Sequence, residues 1–99
     1  MNPNTAIAVS GINAAKLGLE ASADNIANLQ TPDFHRNLVL QSARPGGGVS
    51  ATLVRDTEAG GDLTQDVVQQ ILSSYSFKAN VLSLQIEQDT VGTLLSLVA

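Results

Sequence analysis

Cysteine and aromatic residues are what this 99-residue sequence most lacks. It contains no cysteine, no tryptophan, one tyrosine and two phenylalanines. Without cysteine there is neither a disulfide framework nor a thiolate metal site. With so few aromatic residues, the core has to be built from leucine, isoleucine, valine and alanine, which favours packed helices over a β-sandwich. A chain of this length forms a single small domain, residues 1–99.

Charge is also scarce. Charged residues make up 14% of the sequence, against about 25% in an ordinary soluble domain. The net charge is −4, and the five basic residues are scattered along the chain, so the sequence predicts no nucleic-acid-binding face. A surface with so little charge repels its own copies weakly and suits packing against other chains. We therefore expect a homo-oligomer.

The N-terminus lacks a charged leader followed by an apolar core, as a cleaved secretory signal would have. No segment approaches the roughly 18 consecutive apolar residues of a membrane span. We expect a soluble chain, or one exported without a cleaved signal peptide.

A first helix is predicted over residues 3–30, with Asn2 as its cap and Pro3 at its first position. Large apolar residues recur along it with heptad-like spacing. We expect these residues to form an interface with another helix: Ile12, Leu19, Ile26 and Leu29.

The segment 31–61 is predicted to hold a turn, a short β-hairpin and a glycine linker. Pro32 ends the helix, and Thr31–Phe34 reads as a β-turn in which Asp33 fits type I better than type II. Residues 38–41 and 49–54 flank a Pro/Gly loop, which indicates two short strands, although irregular structure is the alternative. The triple glycine lacks the ending of a phosphate-binding loop.

A second helix is predicted over residues 62–97, with Asp62 as its cap and Gln65 completing a capping box. No charge occurs between Asp66 and Lys78, although a solvent-facing helix normally carries several. Its heptad positions should complete the helix–helix interface: Val68, Leu72, Tyr75, Leu82, Ile86, Leu94 and Leu97.

The sequence thus predicts a mainly α fold, in which two long helices pair as an antiparallel helical hairpin or coiled coil. The Gly60-Gly61 break permits this pairing within one chain or between chains. The sequence does not distinguish pairing within a chain from pairing between chains.

Catalytic chemistry has no support in the sequence. His35 is the single histidine, the nine carboxylates are dispersed, and neither metal-ligand spacing nor a nucleophile–base pair is present. An interfacial membrane helix would need a basic polar face, which the C-terminal helix lacks. We expect no enzyme, no cofactor, no metal and no small-molecule substrate.

Two regions of the chain resemble the flagellar axial proteins of bacteria, specifically the rod proteins of the basal body. Residues 10–36 and 62–95 carry the resemblance and cover roughly two-thirds of the chain. Asp33 departs from the glycine that the family usually has there, and the middle segment is short. The most specific motif residues are Asn25, Ile26, Ala27, Asn28, Thr31, Pro32, Phe34 and Arg36.

The resemblance implies a structural subunit of the basal-body rod. Such subunits leave the cytoplasm through the flagellar export apparatus, and their terminal helices pack with other axial proteins into a helical tube that transmits torque. Contacts of this kind do not close, so they build a filament and not a ring. The alternative is a helical oligomer or adaptor that shares the helices but does not polymerise.

Overall fold

The computed structural model describes residues 3–98, which form two helices with a two-stranded antiparallel sheet between them. The order is α1 (Pro3–Ala27), β1 (His35–Ala43), β2 (Val49–Ala59) and α2 (Leu63–Val98). The mainly helical architecture, with two helices and a β-hairpin between them, confirms the predicted fold in this coarse outline. The predicted cap at Asn2 lies outside the described residues.

Helix α1 ends three residues earlier than predicted. Asn28 N still donates to Asp24 O at 3.0 Å, but Thr31 N donates to Asn28 O at 2.9 Å. In a continuing helix that carbonyl would accept from the residue at position 32, and Pro32 has no N–H to donate. The chain therefore leaves the helix in a tighter turn before it reaches the proline.

The turn at Thr31–Phe34 is not of type I. Phe34 N donates to Thr31 O at 3.3 Å, which closes the turn, and Asp33 has a φ of 57°. A positive φ at the third residue is typical of a type II turn and excludes type I. The preference of aspartate for type I was therefore the wrong guide, because Asp is among the few residues other than glycine that tolerate this region.

The β-hairpin is longer than the predicted strands and folds back along α1. Residues 37–43 pair in register with 55–49, and β2 then carries two extra residues before Ala59 pairs with His35. At the hairpin tip, Val49 N donates to Ser10 Oγ at 3.1 Å. A side chain at Gly48 would lie 2.7 Å from the same oxygen, so glycine lets the tip approach α1.

Helix α2 begins and ends within a residue of the predicted bounds. Asp62 Oδ1 accepts from Gln65 N at 3.1 Å, which confirms Asp62 as the cap. The Gln65 side chain, however, accepts from Arg36. At 36 residues the helix is about 54 Å long. No helix within residues 3–98 is long and apolar enough to cross a membrane.

The molecule is an elongated slab with extents of 62 × 24 × 14 Å and a radius of gyration of 17.2 Å, against about 13 Å for a globular chain of this length. Within residues 3–98 the buried apolar residues are all alanines: Ala8, Ala14, Ala15 and Ala21. The core lies between the two helices and beneath the hairpin, and its apolar part is made of these small side chains.

Candidate assembly surface and helix junction

The two helices meet through small and polar residues. A side chain at Gly18 would lie 2.3 Å from Ser73 Oγ, and one at Gly11 would lie 2.4 Å from Asn80 Oδ1. Further along, Asn25 Nδ2 donates to Asp66 Oδ1 at 3.3 Å. On each helix these contacts recur every seven residues, in opposite directions along the chain. The helices are therefore antiparallel, and their backbones approach closely because the contact residues are small.

At the end of this contact, one buried carboxylate joins both helices to the hairpin. Asp66, with 1% of its surface exposed, accepts from Arg36 Nε at 3.1 Å and from Arg36 NH2. Arg36 NH1 donates to Gln65 Oε1 at 3.1 Å. The hydrogen bonds to Asp66 raise the pKa of Arg36 further above its ordinary value. We call Asn25, Arg36, Gln65 and Asp66 the junction.

Asn25 completes the junction by bridging α1 to β1. Its Oδ1 accepts from Asn37 N at 2.7 Å, and its Nδ2 donates to Asn37 O at 2.9 Å. This pair of bonds resembles the bonding of a neighbouring strand, supplied by one amide side chain. Within residues 3–98 every buried side-chain nitrogen and oxygen has a hydrogen-bond partner. The junction is a satisfied polar network that fixes the hairpin on the helix pair.

The predicted interface residues of α2 lie outside the close contact with α1 within the chain. Leu72, Leu82 and Ile86 are each 56% exposed, and Tyr75 is 66% exposed. Val68, Leu94 and Leu97 are exposed as well. The close contact with α1 uses residues 66, 73 and 80 of α2. The predicted interface residues of α2, which we call the seam, lie on another face of the helix, roughly a third to a half of a turn away. These residues therefore lie outside the close contact between the two helices of one chain, and their pairing between chains stays a prediction.

On α1 the predicted residues Ile12, Leu19, Ile26 and Leu29 are half-buried. They flank the close contact without forming its centre. A side chain at Gly61 would lie 2.5 Å from Leu29 Cδ1, so Leu29 covers the linker before α2. Leu19 lines a shallow groove of about 410 Å³ with Ile71, Tyr75 and Lys78 of α2.

The motif residues 25–36 occupy the junction and the turn beside it. Asn28 Nδ2 donates to Asp24 O at 2.9 Å, and Thr31 Oγ1 donates to Asn28 Oδ1 at 3.1 Å. Phe34 is half-buried, and its carbonyl accepts from Gly60 N at 2.9 Å. Of the remaining motif residues, Ile26 is half-buried, and Ala27 and Pro32 are exposed.

Sequence reasoning missed Asp66 and Gln65 as partners of Arg36. The sequence pattern places Gln65 in the cap of α2 and marks Asp66 only as the residue where an uncharged stretch begins. One signal was available: an arginine beside a short strand needs a carboxylate partner if it is buried.

The hydrogen-bonding role of His35 is structural, because its Nδ1 lies 2.9 Å from the carbonyl oxygen of Asp56. Within residues 3–98 no group of three or more histidine or carboxylate side chains is placed to hold a metal ion.

The exposed seam of α2 and the junction are therefore the two features that a function has to explain. No protein-family model and no curated protein matches this chain.

Proposed function

We propose that the chain is a structural subunit of the bacterial flagellar basal-body rod, which packs side by side with its own copies and with other axial proteins. The observation that carries the proposal is the apolar face of α2. Within residues 3–98, seventeen large apolar side chains are exposed and thirteen of them lie on α2, whereas the buried apolar residues are four alanines. Such a chain completes its core only when another chain covers α2.

The rod assignment within this class draws on the resemblance of residues 25–36. Asn25 and Arg36 are two of its motif residues, and both are hydrogen-bonded at the point where α1, β1 and α2 meet. A torque-bearing subunit needs its two terminal helices held in a fixed relation. The junction supplies that relation through a buried ion pair and a bidentate amide, which are directional and specify one arrangement.

The surface of α2 fits a mechanical role. Between Asp66 and Lys78 the helix carries no charge, so the approach of a second apolar helix removes no charged group from water. Heterologous contacts through such a face extend into a filament. Localisation in the basal body, and export through the flagellar apparatus without a cleaved signal, belong to the same proposal.

The test is genetic. We expect deletion of the gene to abolish motility and to leave cells without complete hook–basal bodies in electron micrographs, and the wild-type gene supplied in trans to restore both. Normal flagella in the deletion strain would contradict the proposal and leave the non-polymerising oligomer.

A complementation pair then asks whether the α2 face carries the role. Leu72→Gln with Leu82→Gln removes two seam leucines, each 56% exposed, and Leu40→Gln removes a hairpin leucine that is also 56% exposed. We expect the seam variant to fail and the Leu40→Gln variant to complement. Complementation by both would show that the α2 face is not needed.

A further inference from the structure

The isolated chain exposes more surface than a complete globule of its mass. Its accessible area is 6685 Å², whereas a folded monomer of 10.3 kDa is expected to expose about 5400 Å². The excess is roughly 1300 Å² per chain, and a specific interface covers about 800 Å² on each partner. The uncovered area is therefore sufficient for a stable contact with one more chain.

The spacing of the α2 seam indicates which partner can pack against it. Ala79 fills the heptad position between Tyr75 and Leu82. With it, the seam positions from Val68 to Ile86 are spaced four, three, four, three and four residues apart, so the order is the same in both directions. An antiparallel second copy of α2 would set Val68 against Ile86 of that copy and Leu72 against its Leu82. Tyr75 would meet Ala79, which places the largest seam side chain over the smallest.

We propose that the free chain forms a two-fold symmetric dimer through the antiparallel pairing of its α2 seams. The parallel arrangement of the same face is worse packed. It would set Tyr75 against Tyr75 and Ala79 against Ala79, which crowds one layer and leaves a gap in the next. Crowding and cavities both destabilise a packed layer.

One interaction in this dimer is unfavourable, the repulsion between the two copies of Lys78. Lys78 lies beside the seam between Tyr75 and Ala79, next to the two-fold axis near residue 77. Two copies of Lys78 therefore come close together, and like charges at such spacing repel. The repulsion is screened by salt, so dimerisation tightens as ionic strength rises. In a parallel pair the two lysines lie on opposite flanks, and this salt effect is absent.

The dimer goes beyond the proposed rod function, because it describes the free chain before any filament forms. A two-fold contact is closed and cannot propagate, so the dimer has to open before its seam joins a heterologous contact. The pairing ends near Val91, opposite Leu63 of the second copy. It leaves Leu94, Leu95, Leu97 and Val98 uncovered at each end.

Disulfide trapping tests the arrangement directly, since the natural chain contains no cysteine. The full chain is prepared as Val68→Cys and as Ile86→Cys, two positions that are 50% and 56% exposed. In the antiparallel dimer residue 68 of one copy meets residue 86 of the other. Two copies of residue 68 then lie about 27 Å apart, far beyond disulfide reach.

The two variants are oxidised separately and as a mixture, and the products are separated without reductant. We expect the mixture to give a linked dimer that contains one chain of each variant, and each variant alone to give linkage no greater than random collision. A mixture of Val68→Cys with Gln88→Cys, whose thiol lies off the seam, measures that collision level. Linkage of each variant with itself would show a parallel pair and overturn the proposal, as would a mixture at the collision level.

Sedimentation supplies an independent readout that needs no cysteine. We expect wild-type dimerisation to tighten with added salt, and Lys78→Gln to tighten it by roughly two-fold at low salt. Loss of affinity in Lys78→Gln, or a chain that sediments as a monomer at all concentrations, would overturn the antiparallel dimer. Neither experiment depends on flagella, so failure here leaves the rod proposal to its own genetic test.

Discussion

Replacing Asp66 with alanine should destabilise the chain more than any other single change in a charged residue. Asp66 is the shared acceptor for the Arg36 guanidinium and the Asn25 amide. Its loss leaves the guanidinium in a site where only 11% of the arginine side chain is exposed. Arginine stays protonated in proteins, so the uncompensated charge cannot be relieved by loss of a proton.

The expected loss is about 3 kcal/mol, the lower end of the range for breaking a buried ion pair. The lower end applies because Arg36 keeps its hydrogen bond to Gln65. Against a typical stability of about 5–15 kcal/mol, such a loss is large. It is measured as the change in unfolding free energy from urea titrations, followed by far-UV circular dichroism at one fixed protein concentration.

Asp89→Ala is the matched control, because Asp89 lies on the same helix and is exposed; its effect should stay within about 0.5 kcal/mol. The double variant Asp66→Ala with Arg36→Met should be more stable than Asp66→Ala alone, since it removes the stranded charge together with its partner. If Asp66→Ala costs no more than Asp89→Ala, the junction does not hold the helices together.

Two further changes test the helix contact and the cap. Gly18→Ala should be neutral or destabilising by up to about 2 kcal/mol, because its new methyl group meets Ser73 and overpacking outweighs the gain in helix propensity. Gly92→Ala, where nothing lies within 4 Å, should stabilise by up to about 1 kcal/mol; equal effects at the two glycines in the same urea titrations would refute the close approach at Gly18. Asp62→Ala should cost about 1 kcal/mol through loss of the bond to Gln65 N, and an unchanged unfolding midpoint would argue against that cap.

The sequence was most informative where a local rule decides the structure. Asp62 before an apolar run located the start of α2, and β-branched residues around the glycine loop located the hairpin. The predicted end of α1 is three residues late because Pro32 has no N–H to donate to the carbonyl of Asn28, four residues before it. Asp33 shows the limit of turn preferences, because it adopts a positive φ of 57° that the preference of aspartate for type I does not predict.

The packing of the two helices could not be read from periodicity alone. Large residues at heptad positions of α2 indicated an interface, and the chain instead pairs its helices through Gly11, Gly18 and Ser73. Two faces of one helix can both satisfy a seven-residue repeat, and only the three-dimensional fit between chain segments decides which is used. The sequence does not predict the Arg36–Asp66 pair either. Thirty residues separate the two side chains, and no local rule connects them.

The most direct test of α2 as an assembly surface is the dependence of the thermal unfolding midpoint on protein concentration. If association through the seam stabilises the fold, the wild-type midpoint rises with concentration. The midpoint of Leu72→Gln with Leu82→Gln should be lower and independent of concentration, whereas Leu40→Gln should follow the wild type. A wild-type midpoint that stays constant over a hundredfold range of concentration would contradict the assembly surface.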